Sequence, residues 1–243
     1  MQPIIKYPDN RKVDIVGDIH GCFNELCDLI KKLGYDQDID KLTIVPPQGR
    51  KLVFVGDYTD RGPEPIKVLK LVMNAITDGA ALAVRGNHDD KLLRLLKGNS
   101  VMVSPELSET VERVKECDLR FQSEVMAFLE SLPFQLLLDE DNLVIVHGGM
   151  PEEYQNVDCK NMRFHALYGD PSKERDENGR PIRNDWAAQY HGTRSIVYGH
   201  AIITTPEWKN NTINIDTGCY KTGVLTALRW PEREVLQARL DPL

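Results

Sequence analysis

The stretch Val13-Asp14-Ile15-Val16-Gly17-Asp18-Ile19-His20-Gly21 decides how the rest of the chain is organised. Its first four residues are apolar apart from Asp14, which is typical of a short buried strand. Asp18 and His20 follow the end of that strand, and residues two apart in an extended segment point to the same face. A carboxylate and an imidazole that converge in this way suit Mn, Fe or Zn. Taken alone, the pair favours a plainer interpretation, in which Asp18 caps the next helix and His20 packs beside it.

Composition indicates one large domain rather than several. The 243 residues contain no Pro/Gly/Ser linker and no low-complexity tract, so we predict a single α/β domain over residues 1–243. No secretory leader and no membrane-length apolar run is present, and the five cysteines form no C-x-x-C motif, so we expect a cytoplasmic protein with free thiols and no membrane partner. The net charge of −7 argues against extended nucleic-acid binding but leaves room for a local basic pocket. The sequence does not indicate the oligomeric state.

A buried strand, a polar motif and a helix recur in that order along the N-terminal part of the chain. The predicted strands are 13–16, 51–55 and 80–84, and the predicted helices between them are 22–33 and 64–78. This order predicts parallel strands joined by right-handed crossovers, with helices on the sheet faces. Active sites of such sheets lie at the carboxyl ends of the strands, where these motifs stand.

The remainder of the chain is predicted with less regularity. Residues 1–10 are expected to be a loose lead-in, 35–50 a loop or hairpin, and 91–137 a helical insertion beside the site. Further strands are predicted at 143–146 and 195–198, with an antiparallel closing pair at 224–229 and 234–240 around Pro231. The segment 151–192 is expected to be mixed and charged, with a turn at 176–179 and a short helix at 186–190.

Four of the six histidines follow predicted strands, namely His20, His88, His147 and His200. The other two, His165 and His191, do not, and we interpret them as surface or packing residues. The four strand-end histidines, together with Asp18, Asp57 and Asn87, form a set of nitrogen and oxygen ligands large enough for two metal ions that share a bridging carboxylate. Two ions about 3.5–4 Å apart can generate a hydroxide and hold a phosphoryl group for in-line displacement.

The motifs, taken in order, resemble those of the calcineurin-like metallophosphoesterases, in the branch that contains the protein Ser/Thr phosphatases. They are G-D-I-H-G (17–21), G-D-Y-T-D-R-G-P (56–63), R-G-N-H-D (85–89), H-G-G (147–149) and Y-G-H (198–200). The segments 166–170, 179–188 and 214–219 are also similar to bacterial asymmetric bis(5′-nucleosyl)-tetraphosphatases and to the phosphatase domain of bacterial polynucleotide kinase-phosphatase. The resemblance implies a four-layer α/β/β/α sandwich of mixed sheets flanked by helices.

The resemblance also implies a role for each motif residue. Asp18, His20 and Asp57 would bind a first divalent ion, and Asp57, Asn87, His147 and His200 a second, with Mn expected and Fe/Zn or Ni as alternatives. His88 would be the general acid, oriented by Asp60, and Arg61 would hold the phosphoryl group. Arg183 is the candidate for a second phosphate contact, and Asp216 for a partner of a metal-bound histidine.

Several of these assignments have structural alternatives. Asp60 could instead form a salt bridge with Arg61, Arg85 could pair with a carboxylate or bind phosphate, Arg183 could be a solvated charge, and Asp216 could cap a turn. Two positions depart from the family pattern. Asp89 stands where many protein phosphatases have Glu, and Ala201 where bacterial relatives more often have Thr. Neither is a ligand in the pattern, so the doubt falls on the substrate-facing surface.

The expected function is therefore that of a binuclear-metal phosphoesterase. It would hydrolyse phosphate monoesters or nucleotide phosphoanhydrides through in-line attack by a metal-bridging hydroxide. The substrate would be a phosphorylated small molecule, a nucleotide, an RNA end or a phosphoprotein, the last making it a protein Ser/Thr or Tyr phosphatase. A non-catalytic binding module is the remaining alternative, which the complete ligand set disfavours. Specificity is expected to lie in residues 91–137 and 151–192, since loops on a rigid scaffold usually carry it.

Overall fold

Fifteen strands and seven α-helices form the part of the chain that the structure, a computed structural model, describes: residues 3–7, 12–175, 177 and 181–239. In chain order the strands are β1 (Ile4–Lys6), β2 (Lys12–Val16), β3 (Asp36–Asp38), β4 (Thr43–Val45), β5 (Arg50–Phe54), β6 (Ala81–Ala83), β7 (Gln135–Leu138), β8 (Leu143–Ile145), β9 (Pro171–Arg175), β10 (Pro181–Arg183), β11 (Ser195–Tyr198), β12 (Trp208–Lys209), β13 (Thr212–Asn214), β14 (Val224–Trp230) and β15 (Glu234–Arg239). The helices are α1 (Phe23–Lys32), α2 (Pro65–Thr77), α3 (Asn87–Leu96), α4 (Pro105–Glu116), α5 (Leu119–Ser131), α6 (Lys160–Tyr168) and α7 (Cys219–Thr222), with 3-10 turns at Glu152–Tyr154 and Trp186–Gln189.

The first sheet contains the strands that precede the first three motifs. Its order is β15-β14-β2-β5-β6, and β2, β5 and β6 run parallel. β14 pairs antiparallel with β2, and β15 pairs antiparallel with β14. The predicted parallel strand–helix repeat and the predicted antiparallel closing pair are therefore confirmed.

The second sheet carries the two later histidine motifs. Its order is β1-β7-β8-β11-β13-β12. β8, β11 and β13 run parallel, whereas β7 is antiparallel to β8 and β12 is antiparallel to β13. Both sheets are thus mixed, as the resemblance implied.

Apolar side chains hold the two sheets and their helices together in layers. Ile15 and Val53 of the first sheet pack with Ile145 and Val197 of the second, and form a core between the sheets. Helices α1 to α5 cover the outer face of the first sheet, and α6 covers the outer face of the second. The four-layer α/β/β/α sandwich is therefore confirmed. Among the helices of the described residues, we find none with the length and apolar character needed to cross a bilayer.

Several segments form strands that the sequence analysis did not predict, and two of these strands, β1 and β7, pair with each other. Residues 4–6, expected in a loose lead-in, form β1, which pairs parallel with β7. The prediction of a helical insertion over 91–137 is wrong at its end, because 135–138 is the buried strand β7. The periodicity of Gln135-Leu136-Leu137-Leu138 does not distinguish a buried strand from a buried helix. Among the described strands, β1 in turn pairs with β7 alone.

The segment 151–192 contains more regular structure than predicted. It includes helix α6 and the antiparallel hairpin of β9 and β10, besides the predicted short helix, which is a 3-10 turn. The turn predicted at 176–179 lies outside the described residues except for Glu177.

Asp14, the one polar residue of the first predicted strand, is fully buried within an ion-paired network. Its carboxylate accepts hydrogen bonds from the Tyr35 hydroxyl at 3.0 Å, from Arg50 at 3.1 Å and from Arg229 at 2.9 Å. Arg50 and Arg229 come from β5 and β14, the strands on either side of β2. Because a buried carboxylate is costly unless it is paired, this network supports the observed strand register.

Candidate metal centre

The predicted site residues meet where the parallel strands end. Asp18, Asp57 and Asn87 follow strands of the first sheet, and His147 and His200 follow strands of the second. The loops of the first two motifs are joined by their backbones: the N–H of His20 donates to the Asp57 carbonyl, and the N–H of Gly21 donates to the Tyr58 carbonyl, both at 2.9 Å. The centre therefore spans the carboxyl edge of both sheets.

Several residues of the same loops have a strained backbone. Residues in the left-handed region are His20 (φ 47°), Asp57 (53°), Asp60 (70°), Arg61 (67°) and His200 (71°). Such a conformation costs a non-glycine residue about 1–3 kcal/mol and persists only where the surrounding structure enforces it. The packing around these loops therefore holds three of the candidate metal ligands, His20, Asp57 and His200, in this conformation.

Two glycines allow carboxylates to approach the backbone closely. A Cβ on Gly86 would overlap Asp57 Oδ1, and a Cβ on Gly199 would overlap Asp18 Oδ1. Any side chain at either position would therefore displace a predicted metal ligand.

Asp57 lies at the middle of the cluster. Its Oδ2 is 3.5 Å from His20 Nε2 and 3.4 Å from His147 Nε2, and Asp57 as a whole is 1% exposed. Its other oxygen, Oδ1, accepts a hydrogen bond from the N–H of His88 at 2.9 Å. One carboxylate oxygen thus faces an imidazole from each sheet.

The side of the cluster nearest the second sheet contains the remaining candidate ligands. His147 Nε2 is 2.9 Å from Asn87 Oδ1 and 3.2 Å from His200 Nδ1. Asp18 accepts a hydrogen bond from the N–H of His200, at 3.1 and 3.2 Å from its two oxygens. The structure therefore brings all six predicted ligands together.

The tautomers of two histidines fit a bound cation. His20 Nδ1 lies 2.8 Å from the Thr59 carbonyl, and His147 Nδ1 lies 3.1 Å from the Val55 carbonyl. A carbonyl only accepts, so Nδ1 carries the proton in each ring and the lone pair of Nε2 points into the cluster. His147 Nε2 and Asn87 Oδ1 are then two acceptors that face each other, an arrangement that a cation would satisfy.

The electrostatics of the cluster also fit a cation. Burial lowers the pKa of His20 to about 4, and burial lowers the pKa of His147 and of His200 as well. Burial alone would raise the pKa of Asp57, but the surrounding histidines, His147 foremost, hold it below its ordinary value. Burial and the neighbouring carboxylates of Asp216 and Asp57 raise the pKa of Asp18. Neutral imidazoles and crowded carboxylates are the state in which such groups bind metal.

His88 differs from these histidines in its hydrogen-bond partner. Its Nδ1 is 2.5 Å from Asp60 Oδ2, and its Nε2 is 3.2 Å from the Arg61 guanidinium. Burial would lower the pKa of His88, but the charges of Asp57 and Asp60 raise it above its usual value. His88 also lies close enough to His20 and Asp57 to share an ion with them. Its contact with the Asp60 carboxylate fits the predicted acid better than a ligand.

The sequence analysis did not identify two residues that contact Asp60 and Arg61, the neighbours of this acid. The Thr110 hydroxyl donates to Asp60 Oδ1 at 2.6 Å. The Arg61 guanidinium lies 4.5 Å from the centre of the Tyr220 ring and hydrogen-bonds the Tyr220 hydroxyl. Neither residue belongs to a motif, and neither stands directly after a predicted strand. No signal in the sequence therefore connects them with the site.

Asp89 does not face a substrate, although its departure from the family pattern raised that possibility. It is fully buried, and its carboxylate accepts backbone hydrogen bonds from Asp57 at 2.8 Å, Tyr58 at 3.2 Å and Gly86 at 2.8 Å. Asp89 thus ties the second motif to the third. Ala201, the other residue that departs from the family pattern, lines a small cavity beside the metal centre and so borders an open surface.

Arg85 has a structural environment rather than a phosphate-binding one. It is 3% exposed, and its guanidinium contacts Asp90 at 3.3 Å and donates to the carbonyls of Leu129 at 2.6 Å and Glu130 at 3.0 Å. Of the two alternatives left open by the sequence, the pairing with a carboxylate is the one observed.

Arg183 and Asp216 lie at the edge of the centre. Arg183 lines a cavity of about 90 Å³ together with Gly148 and Ala201, the residues that follow His147 and His200. The Asp216 carboxylate accepts a hydrogen bond from the N–H of Gly218 at 2.9 Å, as expected of a residue that caps a turn. Its burial raises the pKa of Asp216 to about 6. The predicted phosphate contact and histidine partnership remain predictions.

With the geometry of the site established, comparison with known proteins decides the family. The sequence pattern of the calcineurin-like phosphoesterases matches residues 11–213. The chain belongs to this family. It is therefore a metallophosphoesterase, a hydrolase of a family that binds divalent metals, and the resemblance drawn from its motifs is confirmed.

Two curated relatives of this metallophosphoesterase have the same name. The chain is 43% identical over 227 residues to the asymmetrical bis(5′-nucleosyl)-tetraphosphatase PrpE of Anoxybacillus flavithermus, covering 92% of both chains. It is also 43% identical over 227 residues to the protein of the same name from Oceanobacillus iheyensis, covering 92% of this chain and 90% of that one.

Solved structures share the fold of this metallophosphoesterase at lower identity. A crystal structure of a proposed diadenosine tetraphosphatase covers both chains completely, with a TM-score of 0.74 and 23% identity. A protein serine/threonine phosphatase from Saccharomyces cerevisiae covers 100% of this chain and 84% of its own, with a TM-score of 0.67 and 16% identity. At these identities the similarity supports the fold alone.

Proposed function

We propose that this metallophosphoesterase hydrolyses dinucleoside tetraphosphates asymmetrically, with two divalent ions, Mn foremost. The first ion would be held by Asp18, His20 and Asp57, and the second by the ligands Asp57, Asn87, His147 and His200. The relatives that carry this name support the substrate class, since the 43% identity extends over 92% of the chain.

One observation carries the binuclear part of the proposal. Asp57 Oδ2 lies 3.5 Å from His20 Nε2 and 3.4 Å from His147 Nε2, so a single carboxylate faces imidazoles of both sheets. A carboxylate between two sets of ligands is what two neighbouring ions require. Bound divalent ions supply a Lewis acid and a water of lowered pKa.

The remaining residues would act on the phosphoryl group directly. The guanidinium of Arg61 matches two phosphoryl oxygens in its planar fork. Its place 3.2 Å from His88 Nε2 keeps the phosphate-binding group beside the acid. His88 would protonate the departing oxygen from Nε2, while Asp60 holds the proton of Nδ1 and thereby the direction of the ring.

Two neighbouring concave surfaces are consistent with a long, nucleotide-bearing substrate. The cavity of about 90 Å³ that Arg183 lines adjoins a groove of about 510 Å³, and Asp185, Ala187, Tyr198 and Asn214 line both. The groove is within the usual range of small-molecule sites, about 300–1,000 Å³. A polyphosphate chain that leaves the metal centre past Arg183 would bring a nucleoside to this groove.

Turnover on four substrates tests the proposal. Purified protein with Mn is assayed on diadenosine tetraphosphate, an RNA end bearing a 3′-phosphate or 2′,3′-cyclic phosphate, a phosphopeptide and p-nitrophenyl phosphate, with a chelator control. We expect the highest kcat/KM on the tetraphosphate, with one nucleoside monophosphate and one triphosphate as products. A higher kcat/KM on the phosphopeptide or on the RNA end would show that the substrate is a phosphoprotein or an RNA end and not a dinucleoside tetraphosphate. If the protein binds no metal and hydrolyses none of these substrates with any of a panel of ions, the remaining interpretation is a non-catalytic binding module.

A further inference from the structure

Helix α4 makes two contacts with the loop that carries Asp60, the hydrogen-bond partner of the general acid His88. The Thr110 hydroxyl donates to Asp60 Oδ1 at 2.6 Å, and Arg113 donates to the Pro63 carbonyl at 2.7 Å. Residues three apart lie on the same face of a helix, so both contacts come from one side of α4. The start of α4 is fixed in turn by Ser104, whose side chain accepts a hydrogen bond from the N–H of Leu107 at 3.3 Å.

Each oxygen of the Asp60 carboxylate accepts one hydrogen bond, one from His88 and one from Thr110. An ionised carboxylate only accepts, so the two oxygens of Asp60 need two donors. His88 Nδ1 is 2.5 Å from Oδ2, and the Thr110 hydroxyl is 2.6 Å from Oδ1. The Asp60 side chain is 0% exposed and Thr110 is 1% exposed, so bulk water does not reach this carboxylate to replace a lost donor.

The Thr110 hydroxyl is important because the backbone around Asp60 is irregular. Asp60 has a φ of 70° and Arg61 a φ of 67°, so the carboxylate stands on an irregular turn rather than on a helix or strand. The Thr110 hydrogen bond fixes the rotation of the carboxylate, and the carboxylate fixes the imidazole. Catalytic groups must be held to within about 0.5 Å of their productive geometry, which requires support of this kind.

We propose that Thr110 is a positioning residue, which acts through Asp60 to aim His88 Nε2 at the leaving-group oxygen. This inference rests on the proposed function, in which His88 is the acid. It assigns the inner face of α4 to the orientation of the acid, whereas the sequence analysis expected the 91–137 segment to recognise substrate.

The test compares esters that depend on the acid to different extents. Phenyl phosphate has a poor leaving group and needs protonation, whereas p-nitrophenyl phosphate has a good one and needs little. For Thr110→Val we expect kcat on phenyl phosphate to fall roughly tenfold, the effect of losing one charge-assisted hydrogen bond. On p-nitrophenyl phosphate kcat should change less than about twofold, KM should be unchanged for both esters, and Thr110→Ser should restore the wild-type ratio of the two rates.

A matched control separates this role from a general loss of a buried hydroxyl. Thr226 is fully buried on β14, and its hydroxyl hydrogen-bonds Thr217 at 2.8 Å and Gln237 at 2.9 Å. Thr226→Val should leave the ratio of the two rates at the wild-type value. Both esters are assayed on one preparation, so partial unfolding of a variant does not alter the ratio.

Two results would overturn the inference. A Thr110→Val enzyme with equal losses on both esters, or with none, would mean that Thr110 has only a structural role. A Thr110→Ser enzyme that behaves like Thr110→Val would exclude the hydroxyl as the cause. Wild-type protein that hydrolyses neither these esters nor diadenosine tetraphosphate is a different result, because it would refute the proposed function itself.

Discussion

At the residue scale, the hydrogen-bond partner of Nδ1 distinguishes the role of His20 from that of His88. Their rings are only 4.9 Å apart, at an angle of 87°. His20 Nδ1 contacts the carbonyl of Thr59, which is neutral, and burial lowers the pKa of His20 to about 4. His88 Nδ1 contacts the carboxylate of Asp60, and despite burial nearby carboxylates raise the pKa of His88. The first ring is suited to metal and the second to a proton.

Removal of the second ring tests this division. His88→Ala should retain the metal content of the wild type and lose about 10²–10⁴-fold in kcat on poor leaving groups, which is the usual contribution of a general acid. Metal content is measured by elemental analysis and kcat on phenyl phosphate. His191→Ala, at an exposed position, is the control and should match the wild type. Loss of an ion from His88→Ala would make His88 a ligand instead.

Arg183 allows a second test at this scale. If it contacts a phosphate beyond the scissile one, Arg183→Ala should raise KM for diadenosine tetraphosphate roughly tenfold, the loss of one charge-assisted contact. KM for p-nitrophenyl phosphate, which has a single phosphate, should not change. Arg163→Ala removes an arginine of α6 that pairs with Asp158 at 2.8 Å, and serves as the control. An equal rise in KM for both substrates would show that Arg183 does not contact a phosphate beyond the scissile one.

At the scale of elements, β2 is held in register by charge as well as by apolar packing. Asp14 on β2 joins Arg50 of β5 and Arg229 of β14 at 3.1 and 2.9 Å. β2 is thereby fixed between its two neighbours, and Asp18 and His20 follow from its end. The structural network and the metal centre are thus connected through one strand.

Substitution of Asp14 should therefore destabilise the fold. Asp14→Ala leaves two arginines without their buried partner, and we expect a loss of about 3–5 kcal/mol in the free energy of unfolding. Urea denaturation measures it. Asp38→Ala, in the exposed ion pair with Lys41, should change the free energy of unfolding far less. A similar small loss for both variants would show that packing alone sets the register of β2.

At the scale of the whole molecule, the candidate centre joins the two sheets. Asp18, His20, Asp57 and Asn87 come from loops of the first sheet, and His147 and His200 come from loops of the second. Ions bound between them would therefore stabilise the sandwich against separation of its halves. Their ligands are assembled only in the folded chain, so binding energy becomes folding energy.

Removal of metal should lower the melting temperature. An ion at about 100 times its Kd adds about 2.7 kcal/mol of stability. For a domain of this size that corresponds to roughly 5–10 °C in Tm. The measurement is thermal melting with Mn and with a chelator. Asp57→Asn, which lacks the shared carboxylate, should melt at the same temperature in both conditions. A metal-dependent shift in Asp57→Asn as large as that of the wild type would contradict a bridging role.

The segments that the sequence did not predict depend on distant partners. β1 pairs with β7, which lies about half the chain away, and β7 itself is an apolar run without helical or strand periodicity. Thr110 and Tyr220 reach Asp60 and Arg61 from helices that carry none of the five motifs. A local pattern cannot report such contacts, because they exist only when the elements are packed.

The sequence by itself determined the parallel strand–helix repeat, the family and the residue types of the site, because apolar periodicity and motif order are local properties. Only the tertiary structure decided that six side chains from two sheets converge, that Asp89 is buried, and that Arg85 pairs with Asp90. It alone supplied the partners that distinguish His88 from His20. Those outcomes follow from packing between sheets and helices, which brings together residues that are far apart along the chain.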